Sequence, residues 1–219
     1  MKKLLFNQLL LPSVLDGSKT MTRRESNPQP TELPISWDLN PLSIHPYYDD
    51  CSGSFYYNTD DGIEYIKPRY KVGETVYIPE PYYIINSKGG LMDMEDKKII
   101  RYKHGTKYAN YEWSWQNSMF MPEKYARTFA EITNVRVERL QSISESDCFR
   151  EGVMEHTQFD GQKIFFSNPV QYGRTRAGIN KPFKTPQQAF AALIDKVCKK
   201  GTWERNPFVE VITYKLIEK

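Results

Sequence analysis

Residues 126–140 read ARTFAEITNVRVERL, and residues 142–152 read SISESDCFREG. The first stretch is β-branched and aromatic with partial alternation, which predicts a long strand. In the second, Ser144 has Asp147 three residues on, a variant of the capping box, and Gly152 is a left-handed stop. A short helix ending at Glu151 is therefore expected. A long strand feeding a short helix, outside any regular strand–helix alternation, points away from a parallel sheet.

The other stretches agree. Residues 74–85, ETVYIPEPYYII, and 207–217, PFVEVITYKLI, read as strands. Residues 9–17, LLLPSVLDG, suit a short helix with Pro12 in its first turn and Gly17 as its stop. In residues 185–201, TPQQAFAALIDKVCKKG, Thr185 caps, Pro186 takes the first helical position and Gly201 ends the helix. Phe190, Leu193, Ile194, Val197 and Cys198 recur at helical spacing, one core-facing stripe that counts Cys198 as packing. There are no internal repeats. Strands outnumber helices, so the expected class is α+β: a small mixed β barrel with helices at its ends.

The chain has 219 residues, which accommodates one domain carrying insertions. Hydrophobic residues make up 39% and aromatics 14%, so a core is feasible. Net charge is only +3, from 30 Lys and Arg against 27 Asp and Glu, which argues against an unselective polyanion binder. Cys51, Cys148 and Cys198 are too few and scattered for a disulfide framework, and His45, His104 and His156 lie far apart. No metal or cofactor site is expected, and the thiols suit a reducing cytoplasm. The start, MKKLLFNQLLLPSVLDG, imitates a signal peptide, but Asn7, Gln8 and Pro12 interrupt it and no cleavage site follows. Nothing approaches the ~20 apolar residues of a membrane span.

Charge is segregated. Residues 31–65 hold seven acids and no Lys or Arg, among Pro, Ser and Tyr without period, and read as a loop-like insertion at about 29–66. Its aromatics, Tyr47, Tyr48, Phe55, Tyr56 and Tyr65, are too many for pure disorder, so the tyrosines are expected to pack on the barrel. An acidic segment there would repel long polyanions and favour small ligands. Residues 163–200 are the reverse, with eight Lys or Arg against Asp195, and a basic loop and helix insertion is expected at about 157–200.

Residues 14–28, VLDGSKTMTRRESNP, place Lys19, Thr20, Met21, Thr22, Arg23 and Arg24 together, with no acid from Lys19 until Glu25. Alone, such a run reads as a solvated turn. In order along the chain, however, VLDGSKTMTRR (14–24), YKVGETVYIPEPY (70–82), the block from Trp115 to Val153 with Ser118, Met121, Pro122 and Arg127, and WERNPFVEVITYKL (203–216) resemble the ASCH family of the PUA-like superfamily, particularly its larger phage and prophage branch. That resemblance implies a pseudo-barrel with a cleft between barrel and helices, and binding of RNA, modified nucleosides or flipped bases. An amidohydrolase of the family removes the acetyl group of N-acetylcytidine with a lysine and a threonine of the first motif and a glutamate of the helix after the long strand. The matching positions are Lys19, Thr22 and Glu151.

Amide hydrolysis needs an activated nucleophile, oxyanion stabilisation and a proton for the leaving amine. Thr22 attacks or positions water if Lys19 takes its proton. A lysine at its reference pKa near ~10.4 is only about 0.04% neutral at pH 7. Burial, Arg23 and Arg24 would lower that pKa and Glu151 would raise it, so the direction stays open. On a regular strand Lys19 and Thr22 face opposite ways, and they converge only if residues 17–19 still belong to the turn.

Arg23 and Arg24 read as phosphate or carboxylate ligands or as structural ion pairs. Glu80 and Arg127 read as ligands of the cleft or as structural groups, Arg127 with Glu131 as a candidate partner. Trp115 reads as a stacking platform for a base or as a barrel lid. Trp203, Asn206 and Pro207 read as a turn anchoring the last strand. The expected ligand is a nucleoside or single-stranded RNA or modified nucleic acid, with hydrolysis of an acylated exocyclic amine as the candidate reaction. Two alternatives are a binding module without chemistry, with phosphates on Arg23, Arg24 and the basic segment, and an interaction protein that docks through the acidic insertion.

Overall fold

The computed structural model describes residues 1–27, 29, 47–49, 54–59, 62–87, 97–105, 114–167 and 182–218. In chain order these hold β1 (Lys2–Lys3), α1 (Leu11–Leu15), β2 (Met21–Glu25), β3 (Tyr47–Asp49), β4 (Ser54–Thr59), β5 (Gly62–Ile66), β6 (Thr75–Tyr77), β7 (Tyr82–Ser87) and β8 (Lys97–Tyr102). There follow β9 (Phe129–Arg139), α2 (Glu145–Arg150), β10 (Met154–Thr157), β11 (Lys163–Phe166), α3 (Pro186–Val197), α4 (Thr202–Arg205) and β12 (Phe208–Ile217).

The class is mixed α+β, built on a five-stranded sheet of order β1-β6-β9-β12-β2 curled into a half barrel. β1 runs parallel to β6 and the other pairings are antiparallel. β9 and β12 pair along their lengths with an irregularity at Thr213/Tyr214, so the stretch at 126–140 is the spine of the sheet. β2 lies at one edge, against β12, with Thr22 opposite Ile212, Arg23 opposite Val211 and Arg24 opposite Glu210.

Side chains of paired strands share faces with a period of two. On one face Val209 and Val211 join Met21 in a core with Leu140, Phe190 and Leu193, covered by α2 and α3. On the other, Ile212 and Tyr214 meet Leu4, Leu11, Val14, Ile78 and Ile132. The caps that form the covering helices are those expected. The Ser144 hydroxyl accepts from the Asp147 amide, the Thr185 hydroxyl accepts from the Gln188 amide, and Gly152 takes a φ of +101° just past α2.

Several expectations need correction. The strand read over 74–85 is broken, because Ile78-Pro79-Glu80-Pro81 separates β6 from β7, and proline cannot donate to a ladder. The acidic insertion is not all loop: β3, β4 and β5 form an antiparallel sheet within it. Among its described side chains, Phe55 and Ile66 pack on Val137 and Phe208 whereas Tyr65 is exposed, and the side chains of Tyr47, Tyr48 and Tyr56 lie outside the described residues. The rest of that segment, and residues 168–181 of the basic one, lie outside the described residues. The basic segment opens with a strand, β11, hairpinned to β10. α3 stops at Val197, and Cys198 is exposed rather than packed. Gly201, with φ +82°, caps the start of α4. Trp203, Asn206 and Pro207 do form a turn: Trp203 packs edge-on to Phe190, and the Asn206 side chain accepts from the Gln141 amide. No described helix is long and apolar enough to cross a membrane.

Candidate functional site

The site grows from the turn between α1 and β2. Gly17, at φ +79°, carries the chain out of the helix, the Lys19 amide donates to the Ser13 carbonyl, and the strand begins only at Met21. Lys19 therefore belongs to the turn, and the facing rule that separates it from Thr22 on a strand does not apply. The Thr20 amide donates to the carbonyl of Arg150 and the Tyr214 hydroxyl donates to that of Lys19, tying the turn to the end of α2 and to β12. A Cβ at Gly152 would lie 3.9 Å from the Lys19 side chain.

Those ties bring Lys19 to Glu151. The Lys19 ammonium, with the residue fully buried, lies 2.5 Å from Glu151 Oε2 and also donates to the Glu151 carbonyl at 2.9 Å. Arg23 Nη1 donates to Glu151 Oε1 at 3.1 Å, while Nη2 reaches Glu138 Oε1 at 2.7 Å and Asp147 Oδ2 at 3.0 Å. Arg136, two residues before Glu138 on β9, closes the network on Glu138 and Asp147. Three cations meet three carboxylates on the α2 side of the sheet.

Burial lowers the Lys19 pKa, Glu151 opposes that shift without cancelling it, and Arg24 and Arg23 add to it. For Arg23, burial is outweighed by Glu151, Glu138 and Asp147, which raise its pKa. Arg23 remains as a cationic partner of Glu151 when Lys19 is neutral.

Above this pair is a pocket of about 220 Å³ whose lining includes Thr22, Arg24, Glu151, Phe6, Phe190 and Cys198. It wraps the edge strand β2 between the two cores. Glu151 is the member of the Lys19–Glu151 pair that reaches this lining. Among the described residues the Thr22 hydroxyl has no hydrogen-bond partner. Arg24 is half-buried, with burial lowering its pKa. Among the described residues no group of three or more His, Cys, Asp or Glu side chains could hold a metal ion.

Of the remaining expected residues, Arg23 also lines the pocket and the others lie elsewhere. Arg23, read as a ligand for phosphate or carboxylate, has a side chain with no solvent exposure and is engaged by three protein carboxylates. Glu80, in the break between β6 and β7, is fully buried and clamped by Arg127, whose Nε and Nη2 each donate at 2.8 Å. Arg127 thus pairs with Glu80 rather than Glu131, stacks over Tyr102 at 4.3 Å and donates to the His104 carbonyl. Neither it, Glu80 nor Trp115 lines the pocket. Arg127→Met leaves a buried carboxylate without its partner and is expected to cost about 1–3 kcal/mol. Urea unfolding should register that loss. Glu138, Asp147 and Arg136 were not singled out from sequence, although the Arg-Val-Glu spacing on a strand put two opposite charges on one face.

No family model, curated protein or solved structure matches the chain.

Proposed function

We propose that the pocket binds the base of an acylated nucleoside and that Thr22, Glu151 and Lys19 hydrolyse its exocyclic amide, in a PUA-like protein of the ASCH type. The observation that carries this reading is the buried 2.5 Å Lys19–Glu151 pair beneath a pocket whose wall holds both Glu151 and the unengaged Thr22 hydroxyl. The volume agrees. At about 220 Å³ the pocket falls below the ~300–1,000 Å³ of sites for drug-sized ligands and suits a single base.

Thr22 Oγ1 bonds to the acyl carbon as the carbonyl electrons move to oxygen. Its proton passes through Glu151 to the neutral amine of Lys19. Collapse of the adduct breaks the carbon–nitrogen bond, and the same proton returns through Glu151 to the leaving exocyclic nitrogen. Water then hydrolyses the threonyl ester by the same relay, releasing the carboxylic acid. Arg23, anchored by Glu138 and Asp147, holds the Glu151 carboxylate in place during both transfers.

The test is the pH dependence of cytidine release from N-acetylcytidine. Only neutral Lys19 accepts a proton, so kcat/KM should rise with pH along a limb whose midpoint lies below the ordinary lysine value of 10.5. Arg24 is one of the charges that lower the Lys19 pKa, so Arg24→Gln should move that midpoint upward. A profile with no rising limb anywhere below the ordinary lysine value of 10.5, or a limb that moves down in the variant, excludes Lys19 as the base. Binding of the nucleoside without turnover would favour the module that reads a modified base and does no chemistry.

A further inference from the structure

The base-sized pocket does not end at its own mouth. Leu5, Phe6, Asn7, Arg24, Val197 and Cys198 line both it and a wider groove of about 690 Å³. Arg24 is the charged side chain common to both. The groove thus gives the rest of a molecule whose base fills the inner pocket a route past Arg24.

Arg24 lacks what its neighbour Arg23 has. Cross-strand pairing opposite Glu210 turns it to the face away from α2, and none of the carboxylates that hold Arg23 forms an ion pair with it. Nη2 donates to the Leu5 carbonyl and the guanidinium lies 5.9 Å from the Phe6 ring, but Nε is enclosed with no hydrogen-bond partner. Among the described residues Arg24 forms no ion pair.

The acids around it are engaged elsewhere. Glu25 pairs with Arg205, Glu151 with Lys19 and Arg23, and Glu210 with Arg69. A half-buried cation without a counter-ion is costly, and a ligand that brings an anion removes that cost. The groove offers further donors. Asn7 Oδ1 accepts from the Leu9 amide and Asn117 Oδ1 from the Met119 amide, each at 2.9 Å, which leaves both side-chain NH2 groups for a ligand.

We propose that Arg24 is a phosphate subsite and that the ligand is a phosphate ester of the nucleoside, with its base in the inner pocket, its sugar at the neck and its phosphate in the groove. The guanidinium fork suits phosphate oxygens. A 5′-monophosphate and a phosphodiester of a single strand present the same group. This inference rests on the nucleoside reading above.

Calorimetric titration with N-acetylcytidine, its 5′-monophosphate and a trinucleotide carrying it centrally separates the possibilities. At least one phosphate-bearing ligand should bind the wild type about tenfold or more tighter than the nucleoside. In Arg24→Met that ratio should fall to about one, and in Arg24→Lys, which keeps charge but loses the fork, it should be intermediate. The salt dependence of binding should lose about one contact in Arg24→Met. A monophosphate that outbinds the trinucleotide identifies a free nucleotide, and the reverse order identifies a strand. Equal affinity of all three ligands for the wild type, or a ratio that survives Arg24→Met, overturns the phosphate subsite and leaves the nucleoside pocket standing. Absence of binding by all three overturns both.

Discussion

Arg23→Met is expected to lower the unfolding free energy by about 3–5 kcal/mol, because it breaks a buried ion network by removing one partner only. The Arg23 side chain has no solvent exposure and serves three carboxylates from two elements: Glu138 on β9, and Asp147 and Glu151 at α2. Without it, Glu138 keeps only Arg136, whose side chain is 36% exposed, Asp147 keeps Arg136 and the more distant Arg150, and Glu151 keeps only Lys19. Methionine restores the volume over Phe190 but no donor. Arg23→Lys should recover only part of the loss, since one ammonium cannot span the positions that the two ends of the guanidinium reach. Urea denaturation reads both variants. A cost under about 1 kcal/mol would place the network with exposed surface pairs and would deprive Glu151 of its fixed partner.

The frame of the fold was legible where local chemistry decides it. Ser144, Thr185, Gly17 and Gly152 act through their own backbones, and the alternation of β9 and β12 needs only neighbours in sequence. The approach of Lys19 to Glu151 was indicated through motif resemblance rather than spacing, since 132 residues separate them. Arg23 and Arg24 looked equivalent because the sequence does not show which face of β2 meets the acids of α2. Strand alternation sends one into the ion network and leaves the other at the pocket. Glu80 was singled out without its partner because the clamp by Arg127 crosses 47 residues and exists only once β6, β7 and β9 are assembled. Cys198 fitted the helical stripe, but α3 ends one residue before it and turns the thiol towards the pocket.

Thr22→Val separates structure from chemistry more cleanly than any other change at the site. Valine has the same branched shape and suits a strand. The hydroxyl it removes has no partner among the described residues, so no buried polar group is orphaned. Stability should stay within about 1 kcal/mol of the wild type. Turnover, by contrast, should fall by about 10²–10⁴-fold, because the proposed nucleophile is gone while Lys19, Arg23 and Glu151 are untouched. Thr22→Ser keeps the hydroxyl and should retain most of the rate.

The proposed amide hydrolysis through Thr22, Glu151 and Lys19 is read from its products. The most direct measurement is product release from N-acetylcytidine by purified wild-type protein, with no metal added, beside Thr22→Val of equal stability. Expected are cytidine and acetate in equal amounts from the wild type and a rate about 10²–10⁴-fold lower from the variant. Wild-type protein that binds the nucleoside and leaves it intact, or a Thr22→Val protein that releases cytidine as fast as the wild type, would contradict the proposed hydrolysis.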